Sequence, residues 1–329
     1  MARVLTTSAE KGSGVGAIQA LQNSPHQIIA TSTDPRGAGL YLSDQPVITP
    51  PVTSEEWPTS IANAVEEHNV DVVLPLNDED LKEIDRLSAT LPDDVPLVIP
   101  RQAFIKEMLD KKKAYALFEK RGLQIPETTT AEHYEEFSDE DFPRIIKPRW
   151  GSRARGVELL ETQTELVEYI SKSTHSVEDL LIQEYINGDD YTSNLAITQN
   201  NRLLSTVIKE VKERDGFSRW AVTRNHDQVR EACLDAFNAL QPAGPMNVQH
   251  MVDETGEPYL IEINPRFSGS SCLNAEAGVN EYDLLVRSAL GEEVEPINEY
   301  ETGLNLIRYH DRLYVRDEEL LSTDSKQRI

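Results

Sequence analysis

Cysteine is scarce: Cys233 and Cys272 are the only two in 329 residues. Two thiols cannot make a disulfide framework, and a chain long enough for roughly two domains does not need one to bury a core. The seven histidines are dispersed, with no H-x-x-x-H pair to suggest zinc. Neither a G-x-S-x-G elbow nor a G-x-x-x-x-G-K-[ST] loop is present, which removes the serine-hydrolase and Walker-type readings. Long apolar runs are missing too. The uncharged stretch 14–33 is interrupted by Gln, Asn, Ser and Pro25, so it does not read as a membrane span. The N-terminus enters a β-rich run at Arg3 without a signal-peptide core. A soluble, cytoplasmic chain with reduced thiols is the expectation.

Positive charge is also short. Lys plus Arg is 32 against 57 Asp plus Glu, a formal net charge of −25 at pH 7. Such a chain repels phosphate backbones and anionic lipid, so neither nucleic acid nor membrane is expected as a partner. Of the basic residues 12 are Lys and 20 Arg, and the acid is spread along the whole length. Dispersed carboxylate with few lysines is self-repelling unless counterions screen it, which suggests a halophilic, salt-rich setting over a merely acidic one. Hydrophobic residues at 39% with scattered Gly and Pro describe an ordinary globular protein.

The first hundred residues alternate short β-rich runs (3–8, 27–32, 70–74 and 96–99) with segments of helical spacing such as Trp57, Ile61, Ala64 and Val65. That alternation predicts a parallel α/β sheet. A helical stretch follows Pro100, with Gly122 placed to end it. Beyond Pro126 the pattern is hairpin-rich and predicts α+β architecture on antiparallel sheets, with one helix over 227–240. No internal repeat appears.

Near residue 260 the geometry becomes specific. "PMNVQHMVD" and "PYLIEINPR" flank the turn Glu254-Thr255-Gly256-Glu257, and pairing Asp253 with Pro258 sets Gln249 opposite Glu262 and Asn247 opposite Asn264. Alternation then puts Gln249, Glu262 and Asn264 on one face, with Val248, Ile261 and Ile263 on the other. His250 falls on the apolar side, as a core histidine. One carboxylate with amide oxygens suits Mg²⁺, which fills its remaining positions with water and phosphate. Arg266 and the small residues of "FSGSS" follow at the strand end, where a phosphoryl group could be held. A solvated polar sheet face is the competing reading.

The segment "NVQHMVDETGEPYLIEINPRFSGSS" resembles the ATP-grasp enzymes, in particular the large chain of carbamoyl phosphate synthetase and small single-module ligases including the pyrrolysine-biosynthesis type. The resemblance covers nearly the whole chain. It implies a pre-ATP-grasp α/β domain over 1–104 and an ATP-grasp domain over 105–329, with a central lid subdomain at about 124–186 and a metal-binding subdomain at about 187–329. It implies ATP and two Mg²⁺ ions, with Mn²⁺ an alternative, held by Gln249, Glu262 and Asn264, and Arg266 on the reacting anion. Lys147 in "RIIKPRWGSRARGV" becomes a phosphate ligand and Gly151 to Gly156, with Ser152, a phosphate flap. Lys111 becomes a second phosphate contact, with Lys112 and Lys113 as alternatives. "LLIQEYINGDDY" is similar to the adenine hinge, so Gln183, Glu184, Tyr185 and Ile186 would line the base and Asp190 the ribose, where the family usually has Glu. One of Lys209, Lys212, Arg214 and Arg219 would meet the γ-phosphate.

The run "LTTSAEKGSGVGAIQAL" also resembles a dinucleotide fingerprint, with Asp34 as ribose acceptor. Within ATP-grasp chains this loop faces the acceptor substrate instead, with Asn77 and Asp78 as contacts for the amino partner. Cys272 reads as a buried thiol. The activity implied is an ADP-forming carboxylate-amine ligase working through an acylphosphate, on small-molecule carboxylates and amines or amino acids, with room for a homodimer. Phosphorylation of carbonate or carbamate, nucleotide binding without turnover, and a nicotinamide oxidoreductase are the alternatives.

Overall fold

The computed structural model describes residues 1–309 and 311–322. Its first layer is a parallel sheet of β1 (Arg3–Thr6), β2 (Gln27–Ser32), β3 (Gln45–Ile48) and β4 (Val72–Leu74), in the order β3-β2-β1-β4. Around it lie α1 (Gly12–Gln22), α2 (Ala38–Leu42), α3 (Trp57–His68), α4 (Asp78–Lys82) and α5 (Ile84–Ser88). The run anticipated as a strand at 96–99 makes only one parallel bridge, Leu97 to Val73. The fourth strand is β3, whose residues are all half-buried and carry no strong apolar signal. Helices α6 (Gln102–Met108) and α7 (Lys111–Lys120) split the anticipated single helix, because Asp110 starts α7 by accepting from the Lys113 N–H at 3.3 Å. Gly122, at φ +70°, ends it.

The rest of the chain builds two antiparallel sheets. The smaller has β5 (Thr128–Thr130), β6 (Arg144–Pro148), β7 (Glu158–Leu160) and β8 (Leu180–Glu184) in the order β5-β8-β6-β7. Helix α8 (Gln163–Lys172) covers its outer face over Ile146, Leu160, Leu166, Leu180 and Ile182. Burying such side chains contributes about 1.5–3 kcal/mol apiece. The larger has β9 (Gly188–Ile197), β10 (Leu203–Arg214), β11 (Ser218–Arg224), β12 (Gly244–Asp253), β13 (Pro258–Asn264) and β14 (Asn305–Ile307), in the order β13-β12-β9-β10-β11-β14. One side packs on α9 (Asp227–Leu240) and α7. The other carries α10 (Ser271–Glu276) and α11 (Glu281–Ala289), which share a core with α1 and the parallel sheet. His26 to Asp283 (3.0 Å) and Asn280 to the Ala20 carbonyl (2.8 Å) tie the two parts together.

The glycine run of the first domain does not form a phosphate loop. Gly12, Gly14 and Gly16 lie inside α1. A Cβ on Gly14 would stand 2.2 Å from the Ser8 carbonyl oxygen, and one on Gly16 would touch Cys272. These glycines let α1 lie close to β1 and α10. Asp34 is half-buried and its carboxylate is held by the exposed Arg36 (2.9 and 3.0 Å). The dinucleotide reading therefore loses both its parts. Cys272 is half-buried, and Cys233 is the fully buried thiol.

Candidate active site

The hairpin β12–β13 has the anticipated register where it matters: Asn247 faces Asn264 and Gln249 faces Glu262. Beyond that point the register slips by one, so Val252, not Asp253, pairs with Pro258. The extra residue is Ile261, in a β-bulge that frees its carbonyl from the ladder. The Tyr115 hydroxyl of α7 donates to that carbonyl. Glu262 and Asn264 share a face, with the Asn264 Nδ2 3.5 Å from Glu262 Oε2. The same row runs on across the sheet, Glu262, Gln249, Thr192, Lys209 and Thr223 being successive cross-strand partners. Asn247 donates to the Thr192 hydroxyl at 2.6 Å.

Cations converge on this plate. Lys111 Nζ lies 3.4 Å from Glu262 Oε1 and donates to the Gly151 carbonyl at 2.9 Å. Lys147, buried at the end of β6, donates to the Tyr115 hydroxyl and to Gln183 Oε1, both at 2.9 Å. Burial pulls its ammonium down to about 8, with the Glu262 carboxylate opposing. Gln183 is fixed in turn by donating to Thr128 Oγ1 at 2.7 Å. The lysine is thus held by neutral dipoles, with the Glu262 carboxylate as the one charge that opposes the effect of burial. Tyr115 escaped the sequence reading. It stands four residues after Lys111 on the same helix face, and that spacing was the only available signal.

A set of ion pairs keeps α7 in place. Arg149 forks onto Asp110 (2.7 and 2.6 Å) and reaches Asp179 at 3.3 Å. Burial works against the Asp110 charge, but the Arg149 guanidinium and the Lys113 N–H outweigh it and hold that carboxyl below the usual range. Between Trp150 and Val157 runs the loop anticipated as a phosphate flap, with Gly151 and Gly156 at φ +145° and +71° and Arg153 and Ala154 also left-handed. Ser152 is half-buried and Arg153 and Arg155 are exposed. Tyr169 donates to the Gly156 carbonyl at 2.7 Å. A Cβ on Gly216 would lie 3.1 Å from the Arg153 carbonyl oxygen, so the loop tip rests on the β10–β11 turn.

Other expected contacts are placed differently. Gln183 ends in the lysine network, Glu184 is exposed and accepts from the Glu127 N–H (3.2 Å), and Tyr185 and Ile186 begin the crossing from β8 to β9. Asp190 lies inside β9 and is forked by Arg214 (2.7 and 2.9 Å). The four γ-phosphate candidates all have partners: Lys212 with Glu210, Arg214 with Asp190, Arg219 with Glu213 (3.1 Å), and Lys209 with Asn194 and Asn274 (2.7 Å to the latter). Lys209 is fully buried on the same sheet face, its ammonium held under α10 by Asn274. Arg266 is also engaged, since Asp78 binds its Nε at 2.5 Å and Nη2 at 3.2 Å, Asn264 Oδ1 accepts from Nη2 and the Phe267 carbonyl from Nη1. An anion at Arg266 has to share that fork. Asn77 caps α4 and donates to Ser8, which leaves it little for a ligand.

The two antiparallel sheets thus bring Lys111 and Lys147 alongside the face that carries Gln249, Glu262 and Asn264. The ATP-grasp domain family matches residues 108–270, and the PylC-like N-terminal domain family matches 4–96. Residues 108–270 thus form a domain of the ATP-grasp family, preceded by a PylC-like N-terminal domain. It is 25% identical over 187 residues to the carbamoyl phosphate synthase large chain of Saccharolobus solfataricus, covering 52% of this chain and 18% of that protein. It is 23% identical over 304 residues to the formate-dependent phosphoribosylglycinamide formyltransferase of Bacteroides fragilis, covering 87% and 76%. Among solved structures, the Staphylococcus aureus N5-carboxyaminoimidazole synthetase superposes with a TM-score of 0.70 at 15% identity, over 92% of this chain and 80% of that one. Biotin carboxylase of Campylobacter jejuni, in a β-γ-ATP complex, gives 0.71 at 17% identity over 89% and 71%. This chain therefore spans less than a fifth of the synthase and about three quarters of the formyltransferase.

Proposed function

We propose that this chain is an ATP-dependent, ADP-forming carboxylate-amine ligase. The observation that carries the reading is the convergence of Lys111, Lys147, Gln249, Glu262 and Asn264 on one crevice between two sheets. The donor set fits Mg²⁺ because it is all oxygen, with the carboxylate and an amide side by side on β13 and a second amide directly opposite. Gln249, Glu262 and Asn264 would hold two Mg²⁺ ions, or Mn²⁺, which neutralise phosphate oxygens when bound. Lys147 and Lys111 meet phosphate oxygens, the flap from Gly151 to Gly156 closes over them, and the crossing at Glu184, Tyr185 and Ile186 lines the base with Asp190 near the ribose. The carboxylate of one substrate attacks the γ-phosphorus, ADP leaves, and the amine of the second displaces phosphate from the acylphosphate. The chain's own part is positioning and charge neutralisation.

The test uses Mg-ATP and pools of ¹⁸O-carboxylates with no amine. Transfer of label into phosphate on later amine addition supports an acylphosphate. Label in AMP would mean adenylation and would end this reading. A small-molecule partner pair, a cytoplasmic setting and a homodimer belong to the same proposal. So does salt adaptation: the melting temperature should climb as KCl is raised to molar levels, and a flat or falling curve counts against it. Among the described residues no helix is long and apolar enough to cross a membrane.

A further inference from the structure

Arg308 follows β14, at the edge of the larger sheet, and no motif draws attention to it. Its Nε donates to the Ser218 carbonyl at 2.9 Å, its Nη2 donates to the Gly269 carbonyl, and its guanidinium lies 5.6 Å from the centre of the Phe217 ring. Among the described residues no carboxylate comes within ion-pair distance of it, in a chain where acids outnumber bases 57 to 32. Its third nitrogen faces the first turn of α1. A Cβ on Gly12 would meet only Arg308 Nη1, at 3.7 Å, and one on Gly269 only Nη2, at 3.8 Å. Both glycines thus border open space at the guanidinium.

That space lies beside the candidate active site. Gly269 is three residues beyond Arg266, and Gly12 follows Lys11, whose Nζ is 3.2 Å from Glu79, next to the Asp78 that holds Arg266. Lys11 and Arg266 each have a carboxylate of their own, and the Glu10 carboxylate beside Lys11 keeps a buried oxygen without a hydrogen-bond partner, so among these cations Arg308 is the one whose positive charge has no ion-pair partner among the described residues. One guanidinium with one free nitrogen matches a monoanion. A phosphate dianion would need more donors and would sit in the field of Asp78 and Glu79.

We infer that Arg308 binds the carboxylate of the amine substrate, which is therefore an amino acid and not a simple amine. The carboxylate sits between Gly12 and Gly269, and the amine points past Arg266 toward Glu262. This inference rests on the ligase reading above and names its second substrate.

The experiment measures phosphate release from Mg-ATP with a carboxylate pool and each standard amino acid in L and D form. It adds the carboxamide of every active amino acid, and O-phosphoethanolamine as the phosphate probe. Wild type, Arg308→Ala and Arg308→Gln are compared, the Gln variant keeping donors for the Ser218 and Gly269 carbonyls. The expected result is an amino-acid KM raised at least about tenfold in both variants, an ATP KM within about threefold of wild type, and carboxamides used poorly and alike by all three. An unchanged amino-acid KM, equal use of acid and carboxamide by wild type, or a preference for O-phosphoethanolamine overturns the inference. Melting shifts with the same amino acids, read without ATP, separate the two claims. A shift that is lost in Arg308→Gln while no phosphate is released keeps the carboxylate site and removes the ligase reading. No shift and no turnover with any amino acid removes the Arg308 assignment.

Discussion

Lys147 and Lys209 are both fully buried, both hydrogen-bonded to side-chain oxygens, and both pulled down to about 8 by burial. Their surroundings differ in one respect. Lys209 shares its pocket with buried Glu281, bridged by Asn194, whose Oδ1 accepts from the lysine and whose Nδ2 donates to Glu281 Oε1 at 3.2 Å. Burial raises that carboxyl while Lys209 opposes the rise. Among the described residues Lys147 has Tyr115 and Gln183 as its hydrogen-bond partners, and the carboxylate that acts on it, Glu262, lies on the strand face proposed to hold metal. A buried cation with its own counter-charge is a fastener. One left with neutral dipoles beside the Glu262 face is, under the ligase proposal, the one that would meet an anion from outside.

The sharpest way to break this comparison is to remove the plate. Glu262→Gln keeps the shape but discharges the only carboxylate of the set. Turnover should fall by about three orders of magnitude or more, with urea unfolding nearly unchanged because the side chain is part-exposed at the crevice. Retention of more than about a tenth of wild-type activity at saturating Mg²⁺, a loss under about 1.4 kcal/mol, would return the polar-face reading.

The two lysines should then separate. Lys209→Met strands Glu281 in the core and should cost about 3–5 kcal/mol of stability by urea melts. Lys147→Met removes an amine that burial already disfavours, so stability should move by no more than about 2 kcal/mol, while ATP affinity drops by about 1.5–3 kcal/mol, read by calorimetry. If Lys147→Met unfolds the chain and Lys209→Met abolishes ATP binding, the roles are exchanged.

A pH series sharpens the same contrast. In the folded chain Lys147 titrates near 8, against 10.5 for a free lysine. Between those values the unfolded chain holds the proton and the folded chain does not, so this residue's contribution to stability rises with pH over that window. Phosphate binding needs the ammonium, so ATP affinity should fall as pH climbs past 8. Opposite slopes are expected in wild type, and both should flatten in Lys147→Met. Parallel slopes would disconnect Lys147 from the phosphates.

Some of this was legible in the chain because it depends on local periodicity. Two strands of alternating pattern joined by a four-residue turn were enough to set Gln249 against Glu262, and the bulge falls just outside the pair. The parallel sheet followed from alternating periods, although Gln45–Ile48, lacking an apolar run, was invisible, and 96–99 pairs at a single residue. The glycine run left a dinucleotide alternative open because a packing glycine and a phosphate-loop glycine look the same until the neighbouring backbone is known. The partners of Arg266, Asp190 and Lys209 were out of reach for a related reason. Each lies tens of residues away or more, brought close by sheet order and not by spacing.

Tyr115 offers the finest test of the comparison, since its hydroxyl is one of the two neutral dipoles that hold Lys147. Its hydroxyl accepts from Lys147 and donates to the bulge carbonyl at Ile261, so one oxygen couples that lysine to the strand that carries Glu262. Tyr115→Phe keeps the ring, its edge contact with Phe118 and its cation-π contact with Lys147, and removes only that oxygen. The bulge carbonyl and the ammonium each lose one partner, which should cost about 1 kcal/mol of stability. Lys147 then has Gln183 alone to hold it, so the ATP KM should rise a few-fold, while the Mg²⁺ dependence of turnover should shift because Ile261 adjoins Glu262. A variant with wild-type KM and an unshifted Mg²⁺ curve would show that the hydroxyl does no more than fill a hydrogen bond in the core.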